Sequence, residues 1–121
     1  MKKIMWQPSV EQIKRSQMFK FKEYINMNHG LNLETYQDLH DWSVNQIPDF
    51  WSDAWNYFDI IHAEPYTQVV DNVSKMPGAK WFSGSRLNFA ENLLRRRDDK
   101  TAIVFKGEGQ PVRELTYKDL Y

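Results

Sequence analysis

The sequence predicts a mainly α-helical chain that ends in a β-hairpin, an α+β fold class. Three observations lead to this prediction. Apolar residues recur at helical spacing through the first half of the chain, and residues suited to capping precede these stretches. Two β-rich runs near the carboxyl end are separated by a short loop that contains two glycines, as in a hairpin.

The first helix is predicted to begin after Ser9, which has capping-box spacing to Gln12. Its apolar face follows at helical spacing and includes Phe21 and Tyr24. Gly30 has the character of a residue that ends a helix, because glycine adopts the left-handed conformation at low cost. A single helix is therefore expected between Ser9 and Gly30.

Two further helices are expected before residue 60. One begins at Thr35 and is predicted to turn Tyr36, Leu39 and either Trp42 or Ser43 inward. The next has Pro48 in its first turn, where the missing N–H costs little. Its apolar stripe is typical of core packing. The helices are predicted to pack around seven large side chains: Phe21, Tyr24, Leu39, Trp42, Trp51, Trp55 and Phe58.

The second half of the chain is predicted to be less regular. Residues 62–80 contain several helix breakers, with a short extended piece at Val69 and Val70, and residues 80–84 form an aromatic turn. Asn88 is expected to cap a helix that ends in the run 95–97, three arginines. Residues 101–106 and 112–115 are the predicted hairpin strands. Thr116 then begins another helix, so we expect the chain to continue as a longer polypeptide.

Composition restricts the function classes. Lys plus Arg and Asp plus Glu both number 16, so charge provides no argument for nucleic acid or an anionic membrane. The absence of cysteine excludes disulfides and thiolate metal sites. The first eight residues lack the apolar region of a signal peptide, and no apolar run approaches membrane-spanning length. A cytoplasmic protein is the expectation.

Candidate catalytic patterns are weak. His29, His40 and His62 lack a nearby ligand at metal-site spacing, and Ser83 and Ser85 do not lie in a Gly-x-Ser-x-Gly elbow. Gly107-x-Gly109 lacks the third glycine of a dinucleotide fingerprint, and a hairpin loop is the better interpretation. The three arginines are more typical of a solvated helix end than of a phosphate site. We therefore predict no catalytic, cofactor-binding or metal-binding residue in this chain.

Several motifs together resemble the amino-terminal end of the acetoacetyl-CoA synthetases, a branch of the acyl-adenylate-forming ligases. Near the start is the run Met5-Trp6-Gln7-Pro8, and further on is Leu39-His40-Asp41-Trp42-Ser43-Val44, followed by Asp49-Phe50-Trp51. The most specific stretch covers residues 80–94, Lys-Trp-Phe-Ser-Gly-Ser-Arg-Leu-Asn-Phe-Ala-Glu-Asn-Leu-Leu. Its Trp-Phe-x-Gly-x-x-Leu-Asn core is shared with acetyl- and propionyl-CoA synthetases. Thr101–Phe105 and Leu115-Thr116-Tyr117 resemble the first hairpin and helix of the large domain.

The resemblance implies that residues 1–97 form a helical cap domain and residues 98–121 begin the large AMP-binding domain. It also implies ATP, magnesium and coenzyme A as cofactors of the intact enzyme, acetoacetate as its acid substrate, and the missing catalytic domain as the partner of this segment. The family's phosphate loop and catalytic lysine lie downstream of residue 121, and we interpret Trp-Phe-x-Gly as packing.

Two alternatives stay open. One is a related acetyl- or propionyl-CoA synthetase, and the other is a free-standing helical module that binds a protein. Truncation would leave the hairpin poorly covered, so self-association of the isolated chain is also expected.

Overall fold

The computed structural model describes residues 5–121 and contains five helices and four strands. The helices are α1 (Val10–Arg15), α2 (Gln17–His29), α3 (Tyr36–Asn45), α4 (Ile47–Tyr57) and α5 (Phe89–Leu93). The strands are β1 (Gln68–Val70), β2 (Trp81–Ser83), β3 (Thr101–Phe105) and β4 (Arg113–Thr116). The predicted α+β class, mainly helical with a carboxyl-terminal hairpin, is confirmed.

The described chain divides into two units. The first consists of residues 5–59 with 69–81, and the second of residues 60–68 with 82–121. Among residues 5–121, none of the helices has the length and apolar character needed to span a membrane. The prediction that the amino terminus is not a signal peptide rests partly on residues 1–4, which lie outside the described residues.

The predicted first helix is interrupted at Ser16. Ser16 is at once the C-cap of α1 and the N-cap of α2, with extended backbone at ψ 149°. Its hydroxyl accepts a hydrogen bond from the Phe19 N–H at 3.1 Å and donates to the Ile13 carbonyl at 2.7 Å. A serine side chain can thus replace the helical partners of nearby backbone groups, and a continuous helix from Ser9 to Gly30 is wrong for that reason.

The predicted helix ends at Ser9, Gly30, Thr35 and Pro48 are confirmed. Ser9 and Gln12 form a capping box, and so do Thr35 and Asp38. Gly30 ends α2 with φ 62°, the left-handed conformation that glycine adopts without a side-chain clash. Pro48 lies in the first turn of α4, where no intrahelical partner for its N–H is needed.

The core of the first unit lies between α2, α3 and α4. Its buried members are Phe21, Ile25, Leu39 and Ala54, and Ile25 is fully buried. Partly buried neighbours surround them: Tyr24, Leu31, Leu33, Trp42, Phe50 and Tyr57. The ring of Phe21 is the centre of this arrangement, with ring centroids of Tyr57, Phe50 and Phe58 at 4.9, 5.8 and 5.8 Å.

Three large side chains assigned to the interior are more exposed than predicted. Tyr36, the first residue of α3, is 65% exposed, and its ring lies beside that of His40, with 6.4 Å between the ring centroids. Trp51 is 43% exposed, since the side of α4 that meets the core is already occupied by Ala54 and its neighbours. Phe58 follows the last turn of α4 and covers Phe21 with one ring face, so it stays 49% exposed.

The two strand pairs are short. β1 pairs with β2, which confirms the predicted extended piece at Val69 and Val70. β3 pairs antiparallel with β4, with Ile103 opposite Leu115 and a register irregularity between Thr101 and Ile103. The predicted hairpin is therefore confirmed, and Gly107-x-Gly109 lies in its loop, where the Gln110 N–H donates to the Gly107 carbonyl at 3.2 Å.

Candidate functional site

The most specific sequence stretch, residues 80–94, forms an unusual turn in its Trp-Phe-x-Gly part. Phe82 has φ 47° and Gly84 has φ 87°, both in the left-handed region. For a bulky residue such as phenylalanine this conformation is an outlier and costs energy. Ser85 holds the turn, because its N–H and its hydroxyl both donate to the Phe82 carbonyl, at 3.1 and 2.7 Å.

This turn is fastened to Thr67 within the second unit. The Thr67 N–H and hydroxyl both donate to the Ser83 carbonyl, at 2.8 and 3.0 Å. Thr67 also packs closely against Gly84: a Cβ placed on Gly84 would lie 3.1 Å from the Thr67 Oγ1 and 3.2 Å from its Cγ2. Residue 84 must therefore be small as well as left-handed, which gives the glycine of the motif a structural reason.

A second tie joins Glu64 to Arg86. The Arg86 carbonyl accepts the Ala63 N–H at 2.7 Å, and the Arg86 N–H donates to the Glu64 carbonyl at 3.0 Å. The side chains add an ion pair, with 3.1 Å between the Arg86 Nη1 and the Glu64 Oε1. Both side chains are largely exposed, so this ion pair contributes little to stability and the backbone bonds carry the contact.

The third tie is made by Asn92. Its side-chain amide donates to the Ile61 carbonyl and accepts the Ile61 N–H, both at 2.8 Å, and so satisfies both backbone groups of one residue. Asn88 caps α5 by accepting the N–H groups of Ala90 and Glu91, as predicted. We call the three ties together, Thr67 with Ser83, Glu64 with Arg86 and Ile61 with Asn92, the clasp.

The helix α5 turns its large apolar side chains away from these ties. Phe89 is 76% exposed, Leu93 is 62% exposed, and Leu87, just before the helix, is 44% exposed. Leu87, Phe89 and Leu93 are thus accessible, whereas Phe82 and Leu94 of the same stretch are half-buried. This arrangement favours a packing role for the stretch over direct binding of a small ligand.

The three arginines differ from their predicted position. α5 ends at Leu93 with Leu94 as its C-cap, so residues 95–97 follow the helix and do not lie in its last turn. Arg96 binds Asp98 at 2.7 Å, and its guanidinium lies 5.1 Å from the ring centroid of Tyr117. Hydrogen bonding to Arg96 holds the pKa of Asp98 below its usual value, and the same bond raises the pKa of Arg96.

Arg97 stacks on the ring of Tyr121, with 3.4 Å between the guanidinium carbon and the ring centroid. The predicted helix after Thr116 is wrong for the described residues: residues 117–120 form a turn, in which the Thr116 N–H and hydroxyl donate to the Asp119 carboxylate, at 2.8 and 2.7 Å. These bonds lower the pKa of Asp119. The basic run is therefore occupied by local partners at Arg96 and Arg97.

The three histidines are dispersed, as their spacing predicted. His29 pairs with Asp53, with 2.5 Å between the His29 Nε2 and the Asp53 Oδ2, and the Asn28 side chain donates to the other carboxylate oxygen at 3.2 Å. His40 lies on the exposed side of α3, and the His62 Nδ1 is 2.7 Å from the Ile60 carbonyl. Within residues 5–121 no group of three or more His, Cys, Asp or Glu side chains is placed to hold a metal ion.

An apolar groove of about 200 Å³ lies in the first unit. It is lined by Met18, Phe21, Tyr36, Leu39, His40, Ser43, Phe50 and Phe58. This lining contains no carboxylate, lysine or arginine. It therefore lacks the charges with which proteins hold nucleotide phosphates or divalent cations.

Sequence reasoning missed the role of two asparagines. The sequence places Asn92 only within a helix, and Asn26 makes the same double contact to the backbone of Leu33, at 2.8 and 3.1 Å. The partner lies 31 residues away in the first case and 7 in the second. A single sequence contains no periodic signal for such contacts.

Residues 36–93 match a protein family described as "Acetyl-coenzyme A synthetase N-terminus". In this match and in its fold the chain is similar to the amino-terminal region of acyl-CoA synthetases. The chain is 37% identical to an acetoacetyl-CoA synthetase of Xenopus tropicalis, over 98% of this chain and 18% of the relative. A malonamoyl-CoA synthetase, vrtB of Penicillium aethiopicum, is 40% identical over 97% of this chain and 17% of the relative.

A solved structure gives the same result. The acetoacetyl-CoA synthetase from Streptomyces lividans superimposes with a TM-score of 0.81 at 33% identity, over 93% of this chain and 18% of that chain. The chain is thus a relative of the acetoacetyl-CoA synthetases in their amino-terminal region, as the motifs indicated. It spans less than a fifth of the length of these relatives.

Proposed function

We propose that this chain is the amino-terminal part of an acetoacetate–CoA ligase. The intact enzyme would join acetoacetate to ATP, giving acetoacetyl-adenylate and pyrophosphate, and coenzyme A would then displace AMP to give acetoacetyl-CoA. The observation that supports this proposal is similarity along nearly the whole chain to acetoacetyl-CoA synthetases from several vertebrates and from Rhizobium meliloti, together with the matching fold.

Neither the described carboxylates and histidines nor the apolar groove fits the cofactors of that reaction. The described residues offer no cluster of metal-ligating side chains, and the apolar groove has no charged lining for phosphates. We therefore assign no catalytic step to this chain and propose that ATP, magnesium and coenzyme A bind elsewhere in the intact enzyme. In this proposal residues 1–97 form a cap domain that packs against the catalytic part, and residues 98–121 begin the large domain.

The acid substrate has a second candidate. The malonamoyl-CoA synthetase of Penicillium aethiopicum is also similar over nearly the whole chain, at 40% identity. Acetoacetate and malonamate are both short carboxylic acids with a carbonyl carbon next to the CH₂ that bears the carboxylate. The proposed substrate class is therefore a short 3-carbonyl acid, with acetoacetate as the first candidate. Acetate is a further substrate to compare, because the matched family is described by acetyl-coenzyme A synthetase.

The test separates the chain from the whole enzyme. The purified 121-residue chain should release no pyrophosphate from ATP in the presence of acetoacetate and coenzyme A, because its sequence has no glycine-rich phosphate loop and its apolar groove has no charged lining. The polypeptide encoded by the complete reading frame should form acetoacetyl-CoA, and it should be assayed in parallel with malonamate, acetate and propionate. Pyrophosphate release by the chain alone, or a marked preference of the full protein for acetate, would contradict the proposal. A reading frame that stops at residue 122 would favour the free-standing interaction module.

A further inference from the structure

The helix α5 has two chemically different sides. Asn88 and Asn92, four residues apart, lie on one side. Asn88 accepts N–H groups of the first turn of α5, and Asn92 binds the backbone of Ile61. Phe89 and Leu93, also four residues apart, lie on an adjacent side and are 76% and 62% exposed. Because residues at this spacing are neighbours on a helix surface, Phe89 and Leu93 form one apolar patch. Leu87, two residues before Phe89 in the chain, is 44% exposed.

The backbone that carries this patch is held by hydrogen bonds. The clasp fixes α5 through Asn92, and the Asn88 cap fixes its first turn. An aromatic and an aliphatic side chain on a rigid element are the kind of group that forms the buried centre of a protein interface. The residue before Leu87 is Arg86, which forms an ion pair with Glu64. An apolar centre with charged groups beside it is the usual anatomy of such a contact.

The relatives indicate what covers the patch. This chain corresponds to 17–18% of their length, so more than four fifths of each relative is additional protein. We infer that Leu87, Phe89 and Leu93 are the face through which this segment docks on the large remaining part of the ligase. The inference rests on the proposed function and deepens it, because it assigns the contact to one helix.

The test measures each of two substitutions in two proteins. Phe89→Ser and Leu93→Ser are introduced into the 121-residue chain and into a chimera in which this chain replaces the corresponding region of the Streptomyces lividans acetoacetyl-CoA synthetase. In the chain alone both side chains are exposed, so the unfolding temperature should change by less than about 2 °C. In the chimera their burial should make each substitution lower it by about 4 °C or more. Met27→Ser is the matched control, because Met27 is 84% exposed on α2 and should have little effect in either protein.

The possible outcomes separate a failure of the docking face from a failure of the proposed function. A folded chimera in which Phe89→Ser is no more harmful than Met27→Ser overturns the docking face and leaves the proposed function standing. An unsubstituted chimera that does not fold counts against the proposed function, and the docking face falls with it. Sedimentation of the isolated chain is the second measurement: a dimer that Phe89→Ser abolishes would make a second copy the occupant and overturn the inference.

Discussion

Gly84 is the most sensitive position of the Trp-Phe-x-Gly turn. In Gly84→Ala, two costs add. A residue with a Cβ pays about 1–2 kcal/mol for the left-handed backbone, which Gly84 adopts with φ 87°. The new methyl would also lie 3.1 and 3.2 Å from two side-chain atoms of Thr67, and overpacking of this kind costs about 1 kcal/mol or more. The expected loss of stability in the second unit is therefore about 2–3 kcal/mol.

Gly109 provides the control for the backbone cost. It belongs to the same unit, has φ 67°, and a Cβ added there would meet no atom within 4 Å. Gly109→Ala should therefore show only the backbone cost, about 1–2 kcal/mol. Native-state hydrogen exchange is the suitable assay, because it reports the opening free energy of individual amides such as the Thr67 N–H.

The contact with Thr67 can be tested separately. Thr67→Ser removes the Cγ2 methyl, which would lie 3.2 Å from the Cβ of an alanine at residue 84, and keeps the hydroxyl that donates to Ser83. In the Gly84→Ala background it should restore part of the lost stability, whereas in the native background it should not stabilise the unit. If Gly84→Ala and Gly109→Ala prove equally costly, the steric argument for Gly84 is wrong.

Three further predictions concern other parts of the chain. Asp53→Ala removes the partner of His29 and Asn28 and should destabilise the first unit by about 1–3 kcal/mol in urea unfolding. The control is Asp49→Ala, on the exposed side of α4, which should cost less than about 1 kcal/mol. The Asp71 carboxylate accepts a hydrogen bond from the Lys80 N–H at 2.8 Å and another from the Lys75 side chain. These two bonds, the first of them the larger cause, lower the pKa of Asp71 to about 2. Since the folded pKa is below the ordinary value of 3.8, this contribution to stability is complete above about pH 5 and is lost as the pH falls through about 2. A carboxyl NMR titration with a midpoint near 3.8 would contradict this prediction. In a dilute monomeric sample the amides of β3 should exchange rapidly with solvent hydrogen, because its apolar side chains are about half exposed and the hairpin has only two strands. Strong protection of the amides of Ile103, Val104 and Phe105 would contradict this prediction and show that the chain covers its own hairpin.

Local sequence signals predicted most of the helix and strand boundaries. Ser9, Thr35 and Asn88 act within three residues of themselves, and Gly30 needs only its own backbone freedom, so each can be recognised without knowledge of the fold. The break at Ser16 was missed because serine has two local options, and only the surrounding contacts decide between a helix interior and a cap.

The interior was predicted less accurately than the boundaries. Periodicity shows that α4 has a broad apolar side, but it does not show which part of that side meets α2 and α3. Ala54 therefore lies in the core while Trp51 is 43% exposed. The clasp could not be predicted at all, since its ties join positions from 16 to 31 residues apart and depend on single side-chain groups of Thr67 and Asn92 or, between Glu64 and Arg86, on backbone bonds.

The loop between residues 71 and 80 has a practical consequence for engineering. It is closed at its base, where the Asp71 N–H donates to the Lys80 carbonyl at 3.1 Å and the Lys80 N–H donates to the Asp71 carboxylate. Met76 near its tip is 96% exposed, and Gly78 has open space around it. The entropy cost of a closed loop rises only with the logarithm of its length, about 0.6 kcal/mol for each doubling. An epitope tag or a fluorophore-binding peptide inserted beside Gly78 should therefore be tolerated, and it would mark this segment at an exposed position of the first unit.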